Sequence, residues 1–147
     1  MLKKNLIIIP ARKNSKRIKN KNIISFDGKP MIYWTIKAAL NSKIFSKVIV
    51  STDCEEIREI SCKIGAEVPF LRNKRLSDDK TPVIQVIEDA VKKIEVNYKF
   101  SNVCYIYPTS IFVKKKYILK MYKQFTKSKA DHFMVIKKFD HPIDRAL

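Results

Sequence analysis

The chain has 147 residues, 46% of them hydrophobic, which allows one sizeable core and excludes an intrinsically disordered protein. Its formal net charge is +17, a balance that permits binding to nucleic acid, acidic membranes or phosphorylated small molecules. The lysines are spread along the chain and not gathered in one block. For most of them this favours a general bias in composition over a role in binding. No apolar stretch approaches membrane-spanning length and no signal-peptide pattern is present, so we expect a cytoplasmic protein.

The strongest pattern lies near the start of the chain. A continuous apolar run at residues 6–9 predicts a strand buried on both faces, and Pro10 marks its end because proline lacks a backbone donor. Residues 12–22 then carry six cationic side chains among eleven positions. Ligands of α/β proteins bind at the carboxyl ends of the strands, so this cationic loop is placed to bind a polyanion such as a nucleoside triphosphate. On spacing alone a solvated charged surface is an equal alternative, since the loop matches no glycine-rich phosphate motif.

The next elements alternate between helix and strand. Residues 26–29 predict a turn around an Asp-Gly pair, and Pro30 suits the first turn of a helix over residues 31–41. That helix is apolar on most sides, which indicates burial and predicts that Trp34 belongs to the core.

A short β-branched strand follows at residues 48–50. We expect Asp53 to cap the next helix through the free amides of its first turn, and Gly65 to end that helix. Residues 68–71 predict a short extended segment.

The second half continues the alternation. Thr81 and Pro82 predict the start of an amphipathic helix that extends to Ile94. Residues 102–107 predict a strand, residues 114–127 a helix and residues 132–136 a final strand. Strands that alternate with helices indicate an α/β fold with a mostly parallel sheet covered on both faces.

The cysteines and histidines do not indicate a metal site. Cys54, Cys62 and Cys104 form no C-x-x-C pair, and their odd number is typical of reduced, mostly buried thiols in a cytosolic protein. His132 and His141 lie far from them in sequence, so no zinc spacing is present.

Five motifs occur in a characteristic order along nearly the whole chain. They are P-A-R-x-x-S-K-x-x-x-x-K-N-I at residues 10–23, F-D-G-K-P-M-I at 26–32, V-S-T-D at 50–53, G-A-E-V-P-F-L-R at 65–72 and Y-P-T-S at 107–110. Together they resemble the cytidylyltransferases that activate nonulosonic (sialic-type) acids. The resemblance implies a Rossmann-like nucleotidyltransferase fold, a three-layer α/β sandwich. Residues 1–147 would then form a single nucleotidyltransferase domain that lacks the family's C-terminal portion.

The resemblance also implies an activity. Enzymes of this family join the anomeric hydroxyl of a nine-carbon sugar acid to the α-phosphate of CTP and release pyrophosphate. The implied partners are CTP and a nonulosonic acid, with no specific nucleic acid and no membrane. Tyr107 stands where sialic-acid enzymes commonly have glutamine, which, with residues 15–18 and 142–147, favours pseudaminic acid. The proline-threonine-serine turn is more similar to the neuraminic and legionaminic acid branches.

Site residues follow from the motifs by resemblance. Arg12 and Lys21 are the catalytic candidates, because fixed cations stabilise the charge that moves onto the leaving pyrophosphate. The nucleotide-binding set is Ala11, Arg12, Ser15, Lys16, Lys21, Asn22, Arg72 and Ser77. Thr81 is a second candidate beside Ser77 on the side of the base. The substrate-binding set is Tyr107, Thr109 and Ser110, whose hydroxyls suit a sugar acid.

Two of these assignments have structural alternatives. Arg72 matches the arginine that the family uses against the cytosine base, and its alternative is a surface arginine paired with Asp78 or Asp79. Asn22 is a phosphate, ribose or sugar contact, or else a cap of the next turn. Family members often carry two glycines where Lys13 and Asn14 stand, so the loop departs there from the family pattern.

The resemblance implies Mg²⁺ as the cofactor. The family holds it with an Asp-x-Asp pair beyond the position of Leu147, and Asp140 and Asp144 are no justified replacement. The family forms homodimers through a segment in that same region, which leaves the oligomeric state open here. Two alternatives follow: a truncated nucleotide-binding remnant with little catalysis and, from another class, a basic nucleic-acid-binding protein, although no motif of that class is present.

Overall fold

The computed structural model describes residues 4–15 and 18–136. The strands are β1 (Asn5–Pro10), β2 (Ser25–Phe26), β3 (Lys29–Pro30), β4 (Lys47–Ser51) and β5 (Asn102–Tyr105). The helices are α1 (Met31–Ser42), α2 (Glu55–Ile64), α3 (Val83–Glu95) and α4 (Lys115–Ser128), with a short 3-10 helix at Lys74–Leu76.

The central sheet is parallel, with β1 between β4 and β5. In its register Ile8 lies opposite Ile49 on one side and Tyr105 on the other. Residues 67–71 run parallel along the outer side of β4, where the Glu67 amide donates to the Val48 carbonyl at 2.8 Å. The predicted mostly parallel sheet is confirmed.

The apolar run of β1 is buried on both faces, as predicted. Ile7 and Ile9 belong to a cluster that includes residues of α1 and α2, such as Ile36 and Ile57. Their neighbours Leu6 and Ile8 belong to a second cluster with Ile87, Ala90 and Ile94 of α3. Alternate side chains of a strand point to opposite faces, so helices cover both sides of the sheet and a three-layer α/β sandwich results.

The helix α1 follows a tight hairpin. Asp27 and Gly28 connect β2 and β3 with positive φ angles of 49° and 72°, the conformation of a primed two-residue turn. Pro30 does not lie in the first turn of α1 as predicted: it is the last residue of β3 and takes the N-cap position, with ψ of 140°. The core assignment of Trp34 is wrong: its side chain is half-buried, and its indole nitrogen donates to the Phe26 carbonyl at 3.1 Å. An indole needs a partner for its N–H, and the hairpin supplies it at the rim of the helix.

The start of α2 differs from the prediction. Cys54 occupies the N-cap position without a side-chain cap, so Asp53 does not cap this helix. One carboxylate oxygen of Asp53 instead accepts from the Lys13 backbone N–H at 2.8 Å. The predicted end is confirmed, because Gly65 closes α2 with φ of 113°.

The second half departs from prediction in one element. The helices α3 and α4 are confirmed, and β5 ends at Tyr105, two residues before the predicted end. Residues 132–136 form no strand, and this prediction is wrong. A strand needs a neighbouring edge for its hydrogen bonds, and this segment pairs with none of the described strands, leaving Ile136 82% exposed.

Two further expectations concern the surface. Of the three thiols only that of Cys54 is buried, while Cys62 is exposed and Cys104 is half-buried, so the expectation of mostly buried cysteines is wrong. In the described part of the chain, no helix combines the length and apolar character needed to cross a membrane.

Candidate functional site

The carboxyl ends of the three parallel strands meet at one edge of the sheet. Beyond β1, the Ala11 amide donates to the Ser51 carbonyl of β4 at 2.9 Å. Beyond β5, the Ile106 amide donates to the Ile8 carbonyl at 3.2 Å. These bonds extend the ladders by one residue and bring the loops after β1, β4 and β5 together, as strand-end sites require.

A cleft of about 230 Å³ opens between these loops. Seven predicted site residues line it: Arg12, Ser15, Lys21, Asn22, Arg72, Tyr107 and Thr109. Ala11, Ser77 and Ser110 lie next to lining residues but do not line it themselves, and Lys16 lies outside the described residues. A wider depression of about 440 Å³ adjoins the same cationic loop through residues such as Lys13 and Lys19, but no residue after β5 lines it.

Arg12 lines the cleft and is held by the loop that precedes α3. Its Nη1 donates to the Asp78 carbonyl at 2.6 Å, and its Nη2 lies 2.5 Å from a carboxylate oxygen of Asp79. The side chain is 31% exposed, so the guanidinium keeps access to solvent and to a ligand. The ion pair predicted as an alternative for Arg72 is therefore made by Arg12.

The backbone of the cationic loop is closed by Asn22. This residue is buried, and its amide nitrogen donates to the Arg12 carbonyl at 2.8 Å, so it ties the two ends of the loop together. This side-chain bond runs back to Arg12 and is not the cap of the next turn that was the alternative role for Asn22. Neither Lys13 nor Asn14 has a positive φ angle, and the left-handed position of the described loop is Asn20, with φ of 53°. The loop therefore needs no glycine where the family often has two.

Arg72 is the most buried cation of the cleft, with 5% of its surface exposed. Its Nε donates to the Ser77 hydroxyl at 3.1 Å, and its Nη2 lies 3.9 Å from a carboxylate oxygen of Asp53. Nη2 has no hydrogen-bond partner. Burial lowers the pKa of Arg72, Asp53 opposes this shift and nearby Arg12 adds to it. A buried donor without a partner is costly, and a ligand in the cleft could satisfy it.

The opposite wall follows β5. Tyr107 is half exposed and packs edge-to-face on Tyr105, with ring centroids 6.0 Å apart. The Ser110 amide donates to the Tyr107 carbonyl at 3.0 Å and closes the turn that carries Thr109. Buried Thr35 of α1 holds this turn from behind, since its hydroxyl donates to the Pro108 carbonyl at 3.1 Å.

Prediction from sequence found the third wall of the cleft only in part, since it named Thr81 as a base-side candidate but missed the apolar residues. Besides Asp78 and Asp79, this wall includes the apolar side chains of Leu76, Val83 and Val86. The Asp78 carboxylate accepts from the Thr81 hydroxyl at 2.6 Å and from the Thr81 amide at 2.7 Å, and these bonds lower its pKa. The one available signal was the S-D-D-K-T sequence, which is typical of a polar turn before a helix.

The carboxylates present do not fit the Mg²⁺ site that the resemblance implies. Asp78 is engaged by Thr81, and Asp79 by Arg12. Among the described residues, no group of three or more His, Cys, Asp or Glu side chains could hold a metal ion. We therefore assign no metal ligand in this part of the chain, and Asp140 and Asp144 lie outside the described residues.

Comparison with known proteins agrees with this geometry. The sequence profile of the family described as Cytidylyltransferase matches residues 6–143, nearly the whole chain. The chain belongs to the cytidylyltransferase family. Among solved structures, this chain is similar to CMP:2-keto-3-deoxy-manno-octonic acid synthetase complexed with CTP, with a TM-score of 0.73 at 19% identity. That alignment covers 86% of this chain and 49% of the other, and it supports the fold.

Curated relatives are closer in sequence. The pseudaminic acid cytidylyltransferase of Campylobacter jejuni (strain NCTC 11168) is 42% identical over 144 residues, or 97% of this chain and 62% of the relative. The CMP-N,N'-diacetyllegionaminic acid synthase of Legionella pneumophila is 40% identical, with 77% of this chain and 49% of the relative covered. The N-acylneuraminate cytidylyltransferase of Escherichia coli O18:K1:H7 is 36% identical, with 84% and 28% covered. The chain thus spans less than two thirds of the length of these relatives.

Proposed function

We propose that this chain forms the nucleotide-binding part of an enzyme that transfers a cytidylyl group from CTP to a nonulosonic acid. The observation that carries the proposal is the cleft at the strand ends, which combines two guanidinium groups and Lys21 with a hydroxyl-bearing turn on the opposite wall. A triphosphate needs fixed positive charge, and a sugar acid needs hydrogen-bond donors beside it.

The proposed reaction is a displacement at phosphorus. The anomeric hydroxyl oxygen of the sugar acid bonds to the α-phosphorus of CTP, and the bond from that phosphorus to the bridging oxygen of pyrophosphate breaks. The hydroxyl proton passes to solvent, and the products are the CMP-sugar and pyrophosphate. Arg12 and Lys21 are proposed to hold the triphosphate and to stabilise the charge that builds on the leaving group.

Base recognition is proposed for Arg72. Its Nη2 lacks a protein partner, and the residue lines the cleft next to apolar Leu76 and Val86. A planar guanidinium can donate to the cytosine carbonyl, whereas adenine offers no carbonyl in its ring. Ser77 supports this role indirectly, because its hydroxyl accepts from Arg72 Nε at 3.1 Å and fixes the guanidinium.

The sugar acid is proposed to be pseudaminic acid. Two relatives named pseudaminic acid cytidylyltransferase are 42% and 41% identical over 97% of the chain, and this supports the choice. Tyr107 and Thr109 form the wall proposed to contact the sugar, and Ser110 closes the turn behind them. Legionaminic and neuraminic acids are the alternative substrates, to be compared with pseudaminic acid in the same assay of pyrophosphate release.

The proposal is tested by thermal unfolding with CTP, and with ATP as the control nucleotide. We expect CTP to raise the melting temperature more than ATP at equal concentration, and Arg12→Ala to remove most of the rise. Arg58→Ala is the matched control, since among the described residues the Arg58 side chain pairs with Glu55 of its own helix, at 3.1 Å. Equal shifts with both nucleotides would contradict the base-specific part of the proposal.

A second candidate is nucleotide binding with little catalysis. Exposed apolar side chains along β5 favour it, because Val103 and Tyr105 are each 40% exposed on a strand with no described neighbour on its outer side. An assay of pyrophosphate release from CTP, Mg²⁺ and each sugar acid separates the candidates. Release at enzyme-like rates supports transfer, and CTP binding without release supports the second candidate.

A further inference from the structure

Asp53 contacts both functional parts of the cleft without lining it. One oxygen of its carboxylate, Oδ1, accepts from the Lys13 amide at 2.8 Å, at the start of the cationic loop. The same oxygen lies 3.9 Å from Nη2 of Arg72. The side chain is 13% exposed, so these interactions occur largely out of solvent.

The backbone around Asp53 reinforces this placement. The Thr52 carbonyl accepts from the Arg72 amide at 2.6 Å, which fixes the main chain of the arginine beside β4. The Cys54 amide donates to the Thr52 hydroxyl at 3.2 Å, and Cys54 takes the cap position of α2. The carboxylate is therefore not used by the helix that follows it.

We propose that Asp53 is a positioning residue that sets Arg72 and the Lys13 end of the cationic loop in one arrangement for nucleotide binding. The inference rests on the proposed function and deepens it, because it makes recognition of the base depend on a residue that touches no nucleotide. Nη2 has no hydrogen-bond partner, so the carboxylate is the group that holds this end of the guanidinium by charge. Without that charge, the hydrogen bond to the Ser77 hydroxyl is the one that still orients the guanidinium among the described residues.

The test compares dissociation constants for CTP and ATP, measured by calorimetry on the whole chain. Asp53→Asn keeps an oxygen for the Lys13 amide and removes only the charge. We expect it to weaken CTP binding about tenfold and to leave ATP binding nearly unchanged, so that the preference for CTP falls. The control is Asp131→Asn, which makes the same charge change at an exposed residue that does not line the cleft.

A double-mutant cycle with Arg72→Lys separates positioning from a general structural effect. If Asp53 acts through Arg72, the double variant is expected to bind CTP no more weakly than Arg72→Lys alone. Additive losses, or an unchanged CTP preference in Asp53→Asn, would overturn the inference. If Asp53→Asn does not fold, Asp53→Glu keeps the charge but displaces it by one methylene, and a wild-type CTP preference in that variant would overturn the inference as well.

The wild-type measurement keeps this test distinct from the proposed function. A wild-type protein that binds CTP and ATP equally overturns both the base recognition and the positioning role. A wild-type protein that prefers CTP, with variants that prefer it equally, overturns the positioning role alone.

Discussion

Replacement of Arg72 by methionine tests whether this buried cation serves binding more than folding. Arg72 is 5% exposed, makes one hydrogen bond to Ser77 and leaves Nη2 without a partner. Its attraction to Asp53 at 3.9 Å amounts to about 4 kcal/mol at an effective dielectric constant of about 20. Desolvation of the guanidinium costs several kcal/mol, and the unpaired donor costs about 1–3 kcal/mol. These costs nearly cancel the favourable attraction to Asp53.

We therefore expect Arg72→Met to change the free energy of unfolding by no more than about 1 kcal/mol, or about 2–4 °C in melting temperature for a chain of this length. The rise caused by CTP is expected to disappear. At about 100 times its dissociation constant, CTP stabilises the wild type by about 2.7 kcal/mol, a shift several degrees larger than the effect of the substitution. Differential scanning fluorimetry with and without CTP measures both quantities, and Arg58→Met is the control on an exposed helix face.

Two results would refute this reasoning. A loss of more than about 3 kcal/mol without nucleotide would mean that Arg72 is chiefly a structural partner of Asp53, as for a broken buried ion pair. A full CTP shift in Arg72→Met would mean that the guanidinium does not contact the base.

Three further predictions concern other parts of the molecule. Thr35→Val removes the hydroxyl that holds the Pro108 carbonyl, so we expect a higher KM for the sugar acid with little change in the KM for CTP, measured by pyrophosphate release. Burial raises the pKa of Cys104 to about 11, so iodoacetamide at pH 8 should alkylate exposed Cys62 well before Cys104, as mass spectrometry of digests will report. The folded state keeps the Cys104 proton to higher pH than the unfolded state, so this thiol should lower stability as pH rises from about 9 towards 11, which denaturant titrations across that range will measure. Binding of the +17 chain to nucleic acid at low salt should collapse as salt rises, in a filter-binding assay.

The fold was predictable where one physical signal dominated. The apolar run of β1 required burial on both faces, and the structure places helices on both sides of it. Residues 132–136 show the limit of prediction from hydrophobic runs. A β-branched and aromatic run forms a strand only when the edge of a neighbouring strand is present. Trp34 shows another limit: the hydrophobic pattern of α1 could not reveal that the Phe26 carbonyl would hold the indole at the rim.

The candidate site was predictable in its members and less so in its contacts. The motifs located Arg12, Lys21, Arg72 and Thr109, which the fold brings to one cleft. Spacing could not show which arginine pairs with the acidic turn, since Arg12 and Asp79 are far apart in sequence and meet only through the fold. The roles assigned to these residues stay predictions until binding is measured.

The loop after β1 lacks the two glycines common in its family, and its contacts bear on how the proposed phosphate binding would work. The amide of Lys13 is already donated to Asp53, so it is not available to a phosphate oxygen. Asn14 has no positive φ angle, so the backbone does not adopt the conformation that a glycine would permit. We therefore propose that the phosphate contacts of this loop come from side chains such as Arg12 and Lys21, which line the cleft. In this arrangement one carboxylate oxygen of Asp53 accepts from the Lys13 amide and lies 3.9 Å from Nη2 of Arg72, so Asp53 connects the loop with the buried arginine.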